Sequence, residues 1–186
     1  MVRINRVVTR GGDTGETSLG DGTRISKAAP RIEALGAVDE ANASIGVLRI
    51  HTRGRPDEDA MLARVQNDLF DAGADLCVPG TGGDRLRMTD AAVARLEAEV
   101  AAMNARLAAL TSFILPGGTA AAAQAHVART LVRRAERQTV ALAAAETVSA
   151  AVVRFLNRLS DHLFVLGRRL NDNGAADVLW LPGANR

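Results

Sequence analysis

Apolar residues recur every three or four positions over five long segments of this chain, and this spacing is the strongest constraint on its fold. It is the period of an amphipathic α-helix, and each segment sustains it for longer than a β-strand usually runs. Short connections separate the segments. The predicted helices cover residues 30–51, 57–77, 89–107, about 119–140 and about 149–172. Five long helices with short connections predict an all-α fold, a five-helix antiparallel bundle.

Single positions refine this prediction. Pro30 is a natural first residue of a helix, and Thr89 is a candidate N-cap. The apolar stripe of the fourth helix is predicted to consist of Val127, Leu131 and Val140. Because only residues 4–8 alternate in the manner of a strand, almost no sheet is predicted.

Length and composition narrow the class of protein. The 186 residues are predicted to form one domain, with a loop at 1–29, the bundle at 30–172 and a tail at 173–186. The 23 Lys and Arg nearly balance the 21 Asp and Glu, and only 3% of residues are aromatic, so base-stacking nucleic-acid modules are poorly supported. The single cysteine, Cys77, excludes an internal disulfide and fits a reducing compartment. No signal segment or membrane span is evident, so we expect a cytoplasmic protein that binds neither nucleic acid nor membrane.

A loop rich in glycine and hydroxyl residues, at 9–27, is the first candidate site. Closely spaced glycines let backbone N–H groups converge on phosphate oxygens, and Thr and Ser hydroxyls add donors. The loop is not a P-loop, because Asp21 and Gly22 stand where Lys and Ser or Thr are required. It is not an EF-hand, because Gly15 and Thr17 occupy positions of oxygen ligands. These residues alone leave an anion-binding loop and a plain surface loop equally open.

The fourth predicted helix carries a second candidate site. Arg129, Arg133 and Arg137 are four residues apart, which places three guanidinium groups on one stripe about 80° wide. Like charges at this spacing repel unless acidic partners or a bound polyanion offset them. One interpretation is an oligophosphate site. The other is a solvated face whose arginines pair across the bundle with one of several acidic residues: Asp39, Glu40, Asp68, Asp71 or Asp161.

Polar residues also interrupt the apolar surface of two other helices. Asn157 and Asp161 lie one turn apart on the fifth, and the first carries Asp39, for which Arg129 is a candidate partner. Such patches indicate a lined pocket or a subunit contact. Three histidines share no metal-ligand spacing and are interpreted as structural: His51, His126 and His162.

Five separated blocks of the sequence resemble the PduO-type ATP:cob(I)alamin adenosyltransferases, which adenosylate vitamin B12. The blocks are residues 9–27, 38–42 (VDEAN), 112–118 (SFILPGG), 129–137 (RTLVRRAER) and 157–161 (NRLSD). Their order and spacing agree with the family over nearly the whole chain. The resemblance implies a homotrimer of five-helix bundles with ATP at each subunit interface and the N-terminal loop folded over the triphosphate.

The resemblance also implies the residues that bind the nucleotide. They are Thr9, Arg10, Gly11, Gly12, Thr17, Ser18 and Lys27 in the loop, and Arg133, Arg134, Ala135, Glu136, Arg137 and Asn157 in the helices. Mg²⁺ would bridge the phosphates, with no metal site of the protein's own. Asp39 and Arg129 correspond to a pair that joins neighbouring subunits beside the site, and they are implied to act in catalysis together with Arg133 and Phe113.

The implied reaction transfers the 5′-deoxyadenosyl group of ATP to the cobalt of cob(I)alamin and releases triphosphate. Family members displace the lower nitrogen ligand of cob(II)alamin with apolar side chains, which leaves four-coordinate cobalt, and Phe113 matches the principal residue that does so. Without the resemblance, the position of Phe113 beside the helix-breaking residues 116–118 would predict a core residue. Some members add a C-terminal aromatic residue below the corrin ring, and Trp180 is the only candidate in this tail.

Two protein partners are implied: a flavin-type reductase that supplies reduced cobalamin, and a B12-dependent enzyme that accepts the product. A non-catalytic nucleotide sensor or cofactor-delivery protein would retain the loop and the arginines but could lose Phe113, so Phe113 favours the enzyme. A nucleic-acid binder would need a basic surface over many positions, against which the near-neutral charge argues. The residues leave open whether the acceptor is complete cobalamin or an incomplete corrinoid.

Overall fold

The computed structural model describes residues 5–80 and 84–186, and most of them lie in five long α-helices. These are α1 (Pro30–His51), α2 (Pro56–Leu76), α3 (Asp90–Asn104), α4 (Ala120–Ala143) and α5 (Ala150–Leu170). Each begins within one residue of its predicted start, so the prediction of five helices is confirmed. Residues 1–4 and 81–83, which include part of the predicted strand and of the connection after α2, lie outside the described residues.

The helices pack around one apolar core. α1 lies against α2 and α4, α4 against α5, and α5 against α3. The apolar stripe of α5 is entirely buried: Val152, Phe155, Leu159, Leu163, Leu166 and Leu170. No helix of the described residues has a run long and apolar enough to cross a membrane.

The buried face of α4 differs from its prediction. Val127 and Val140 are 48% and 50% exposed, so their assignment to the core was wrong. Most residues of the inner face are small instead: Ala121, Ala122, Ala125, Ala128, Ala135 and Thr139. The larger buried residues of α4 are His126, Val132 and Leu142. Small side chains allow α1 and α5 to approach the α4 backbone closely, and this closeness leaves no room for a stripe of larger residues.

A short antiparallel hairpin lies within the segment predicted to be loop. It consists of β1 (Glu16–Ser18) and β2 (Arg24–Ser26), with Thr17 opposite Ile25. Strands of three residues are too short to show an alternating pattern, so the hairpin could not be predicted from periodicity. Residues 5–8 of the predicted strand are irregular.

A buried arginine joins three elements at one end of the bundle. Arg31 is 1% exposed, and its Nε and Nη2 donate to Glu146 Oε2 at 3.0 and 2.6 Å. Its Nη1 donates to the backbone oxygen of Leu76 at 2.6 Å. These bonds tie the start of α1 to the end of α2 and to the connection between α4 and α5.

Replacing Arg31 with Met will lower the free energy of unfolding by about 2 kcal/mol, because the carbonyl of Leu76 loses its donor and a buried contact disappears. Urea denaturation measures this loss. The control is Arg154→Ala, which removes an exposed ion pair with Asp90 and should change stability by at most about 0.5 kcal/mol. Equal losses in the two variants would contradict the role assigned to Arg31.

The C-terminal tail is held against the connection between α3 and α4. Leu115 N donates to the oxygen of Val178 at 2.7 Å, and Trp180 N donates to the oxygen of Phe113 at 2.8 Å. A buried ion pair at 2.8 Å between Arg168 and Asp177 fixes the start of the tail. The tail and the segment around Phe113 are therefore positioned together.

Candidate functional site

The glycine-rich loop folds around the side chain of Lys27. A Cβ added to Gly12 would lie 2.8 Å from Lys27 Nζ, so the absence of a side chain at Gly12 lets the ammonium group cross the loop. Lys27 N donates to the oxygen of Gly15 at 2.8 Å, and Gly15 has a φ of 85°, which favours glycine. Arg10 also has a positive φ, 61°. The predicted residues Gly12 and Lys27 are thus brought together.

The tip of the hairpin docks onto the end of α2. Gly20 N donates to the oxygen of Cys77 at 3.0 Å, and Leu19 is buried. A Cβ on Gly20 would lie 2.9 Å from Val78 Cγ2, so a larger residue there would push the hairpin away. On the other side, Arg24 Nη2 donates to the oxygen of Gly11 at 2.8 Å. The hairpin is therefore held to α2 at its tip and to the glycine-rich loop through Arg24.

A cleft of about 530 Å³ opens between α1 and α2 beneath the hairpin, and we call it the α1–α2 cleft. It is lined by Thr17, Ser18, Ile32, Leu35, Gly36, Val38, Asp39, Asn42, Leu69, Phe70, Gly73, Ala74 and Cys77. Three predicted site residues, Thr17, Ser18 and Asp39, therefore share one cleft. Sequence analysis missed Phe70, which is 72% exposed. Its position one residue after Leu69, outside the buried stripe of α2, is the signal that could have identified it.

The three arginines of α4 line up as predicted but form no ion pair with a carboxylate in the described part of the chain. Arg133 and Arg137 are exposed, and Arg137 Nη1 donates to the backbone oxygen of Arg133 at 3.1 Å. Arg129 is partly buried and its Nε donates to His126 Nδ1 at 3.3 Å. Burial, and then the charge of Arg133, lower the pKa of Arg129. We call this surface the arginine stripe.

Several acidic residues offered as partners of the arginine stripe pair elsewhere. Glu40 pairs with Arg134, Asp68 with Arg95, and Asp161 with Arg158. Cross-bundle pairing with these carboxylates is therefore the wrong explanation for the stripe. The positive charge of the arginine stripe is not paired with a carboxylate in the described part of the chain, so it is available to bind a polyanion or an acidic residue of another chain.

The remaining predicted residues of α4 and α5 lie beside the stripe. Asn157 Nδ2 donates to Glu136 Oε1 at 2.8 Å, which joins the two helices. Ala135 is buried in the core, and Arg134 reaches back to α1. None of these residues lines the α1–α2 cleft. Within one chain, the loop side and the arginine side of the predicted site are two surfaces, and Asp39 forms no ion pair with Arg129.

Phe113 lies on the surface. Its side chain is 76% exposed, so its assignment to the core from position alone was wrong. Its ring lies 6.1 Å from that of Trp180, and Ser112 Oγ donates to the oxygen of Trp180 at 2.9 Å. Trp180 lines a surface groove together with four further exposed apolar side chains: Leu115, Val178, Leu179 and Leu181. We call this surface the Phe113 patch.

Two of the histidines belong to the packing of the bundle. His162 Nε2 lies 2.9 Å from Glu99 Oε2, and His126 packs edge-on against Phe164. Burial lowers the pKa of His126, and the charge of Arg129 lowers it further. No group of three His, Cys, Asp or Glu residues that could hold a metal ion occurs among residues 5–80 and 84–186.

Comparison with known proteins gives matches over nearly the whole chain. The sequence profile of the cobalamin adenosyltransferase family matches residues 7–170. The chain is 48% identical over 179 residues to a cobalamin adenosyltransferase of Cupriavidus metallidurans, covering 96% of this chain and 95% of that protein. It is 47% identical to a corrinoid adenosyltransferase of Mycobacterium tuberculosis, covering 100% of this chain and 97% of that protein.

A solved structure gives the same result. A variant of the PduO-type ATP:corrinoid adenosyltransferase from Lactobacillus reuteri, complexed with cobalamin and ATP, superposes with a TM-score of 0.85 at 34% identity. The match covers 94% of this chain and 99% of that one. The chain belongs to the cobalamin adenosyltransferase family.

Proposed function

We propose that this protein transfers the 5′-deoxyadenosyl group of ATP to the cobalt of cob(I)alamin. The cobalt(I) electron pair attacks the 5′ carbon of ATP, the Co–C bond forms, and the bond from that carbon to the triphosphate oxygen breaks. The oxygen retains its bonding electrons and leaves with inorganic triphosphate. No protein nucleophile is needed, so the protein contributes orientation and charge stabilisation. The observation that carries the proposal is the uncompensated arginine stripe in a chain of this family.

The loop and the arginine stripe are proposed to hold the triphosphate. Gly11, Gly12, Thr17 and Ser18 offer backbone and hydroxyl donors, while Lys27 and the guanidinium groups offer charge. Negative charge increases on the triphosphate as it leaves, so fixed cations stabilise the transition state more than bound ATP. Mg²⁺ is proposed to arrive with ATP, held by phosphate oxygens.

A homotrimer would join the two surfaces that one chain keeps apart. We propose that the α1–α2 cleft of one subunit faces the arginine stripe of its neighbour, with Asp39 and Arg129 paired across the interface. In support, neither residue has an oppositely charged partner in the described part of its own chain. A carboxylate beside Arg129 would also offset the burial that lowers its pKa.

Charge reversal tests this pairing. Asp39→Arg and Arg129→Asp should each weaken the trimer and lower turnover about tenfold or more, because each places like charges at the interface. The double variant should recover part of both, since the pair is restored with its signs exchanged. Light scattering after size-exclusion chromatography and an activity assay measure the two effects. Additive losses in the double variant would contradict the pairing.

The Phe113 patch is proposed to receive the corrin. An apolar ring below the cobalt excludes the lower nitrogen ligand of cob(II)alamin, and four-coordinate cobalt then accepts an electron more readily. Trp180 is positioned to complete the patch, because its ring lies beside that of Phe113. A flavin-type reductase is the proposed source of the electron, and a B12-dependent enzyme the proposed acceptor of adenosylcobalamin.

An anaerobic assay tests the whole proposal. Purified protein is mixed with MgATP and chemically reduced cob(I)alamin, the visible spectrum is followed, and the products are analysed. We expect adenosylcobalamin and triphosphate in equal amounts. If ATP binds and no Co–C bond forms, the transferase proposal fails and a nucleotide-sensing or cofactor-delivery role replaces it.

A further inference from the structure

Asn42 carries a buried side-chain oxygen that has no hydrogen-bond partner in the described part of the chain. The residue is 6% exposed, and Oδ1 itself is buried. An unsatisfied buried acceptor destabilises the folded state, so folded proteins seldom retain one unless a ligand or a water molecule satisfies it. The packing of the described helices provides no hydrogen-bond donor for this oxygen.

The contacts of Asn42 determine which end of its carboxamide is unpaired. Nδ2 donates to the backbone oxygen of Gln66 at 3.1 Å, and Gln66 Nε2 donates to the backbone oxygen of Asn42 at 3.3 Å. Rotating the carboxamide by half a turn would place Oδ1 against the carbonyl of Gln66, two acceptors facing each other. This reciprocal clamp between α1 and α2 therefore leaves Oδ1 as the free acceptor.

Asn42 lines the α1–α2 cleft, which offers apolar surface on both of its helices. Leu35 and Phe70 line it from its two helices. Gly36 and Gly73 contribute no side chain, and a Cβ on either would have no atom within 4 Å. The cleft thus combines apolar surface, open space and one buried acceptor.

We propose that Asn42 Oδ1 accepts a hydrogen bond from the planar NH₂ group of a ligand bound in the α1–α2 cleft. The inference rests on the proposed function, whose two substrates both carry such a group: the 6-amino group of adenine and the carboxamide side chains at the rim of the corrin. In both, N–H donors lie beside a flat apolar face. The contact is separate from those of the loop and the arginine stripe with phosphate.

Two variants separate the oxygen from the clamp. Asn42→Ala removes Oδ1 and one clamp bond, whereas Gln66→Ala removes the other clamp bond and leaves Oδ1 in place. Dissociation constants for MgATP and for cob(II)alamin are measured separately by anaerobic calorimetry, without turnover. In Asn42→Ala we expect one of the two constants to rise about five- to tenfold, and in Gln66→Ala we expect both to stay within about twofold. Asn42→Leu, of nearly equal volume, replaces Asn42→Ala if the latter unfolds.

The ligand whose affinity falls identifies the donor. Weaker MgATP binding assigns it to adenine, in which case purine riboside triphosphate, which lacks the amine, should bind wild type and Asn42→Ala equally. Weaker cob(II)alamin binding assigns it to a corrin carboxamide. Unchanged affinities in Asn42→Ala, or equal losses in both variants, overturn the inference. Failure of the proposed function would give a different result from failure of this inference. The wild-type protein would then bind both ligands and yet form no adenosylcobalamin.

Discussion

Replacing Arg133 with Ala will lower turnover of MgATP and cob(I)alamin about 100- to 1000-fold, the usual cost of removing one fixed donor from a developing anion. The fold should survive, because the side chain of Arg133 is exposed and forms no hydrogen bond among residues 5–80 and 84–186, while its backbone oxygen accepts from Arg137. We expect the free energy of unfolding to change by at most about 0.5 kcal/mol. Steady-state kinetics and urea denaturation measure the two quantities.

Two further variants show what the guanidinium group contributes. Arg133→Lys keeps the charge and loses the planar fork, so it should fall between wild type and Arg133→Ala. Arg154→Ala removes an exposed arginine that pairs with Asp90 on α3, and it should leave turnover unchanged. If kcat falls with little change in KM, Arg133 acts on the leaving triphosphate; if only KM rises, it holds ATP before reaction. Unchanged nucleotide affinity and unchanged turnover would remove Arg133 from the site.

The helices were predictable because their apolar periods are long and their starts carry local signals. Pro30 begins α1, and Thr119 caps α4 by accepting from Ala122 N at 3.1 Å. The inner face of α4 was not predictable in the same way, because alanine occupies both buried and exposed helix positions of this chain. Only the approach of α1 and α5 decides which alanines are buried.

The candidate site was predictable to the extent that its residues follow one another at helical spacing. The arginine stripe can be predicted because its three arginines are spaced four residues apart in the sequence. The buried Oδ1 of Asn42 cannot, because its environment depends on where α2 places the backbone of Gln66. Arg31 escaped notice for the same reason, since its partner Glu146 is distant in sequence. Phe113 resembled a core residue because the sequence does not show that the C-terminal tail pairs with its backbone. That pairing accompanies a ring exposed on the surface.

Replacing Phe113 with Ala should suppress turnover from cob(II)alamin by about 100-fold, which corresponds to about 2.7 kcal/mol in the barrier. The proposed role of the ring is to exclude the lower nitrogen ligand, and Ala is too small to do so. MgATP affinity should not change, because Phe113 lies outside both the loop and the arginine stripe. The ring is 76% exposed and contacts chiefly that of Trp180, so the fold should tolerate its loss.

The oxidation state of the substrate separates this role from simple loss of corrin binding. Cobalt(I) does not hold the lower nitrogen ligand, so Phe113→Ala supplied with chemically prepared cob(I)alamin should lose much less activity than with cob(II)alamin and a reductase. If the two losses are equal, the ring serves only as a binding surface for the corrin. Leu86→Ala, which removes a 56% exposed apolar side chain outside the Phe113 patch, should affect neither reaction. Full activity of Phe113→Ala from cob(II)alamin would remove the residue from the mechanism and leave the other exposed apolar side chains of the Phe113 patch as the groups able to exclude the ligand.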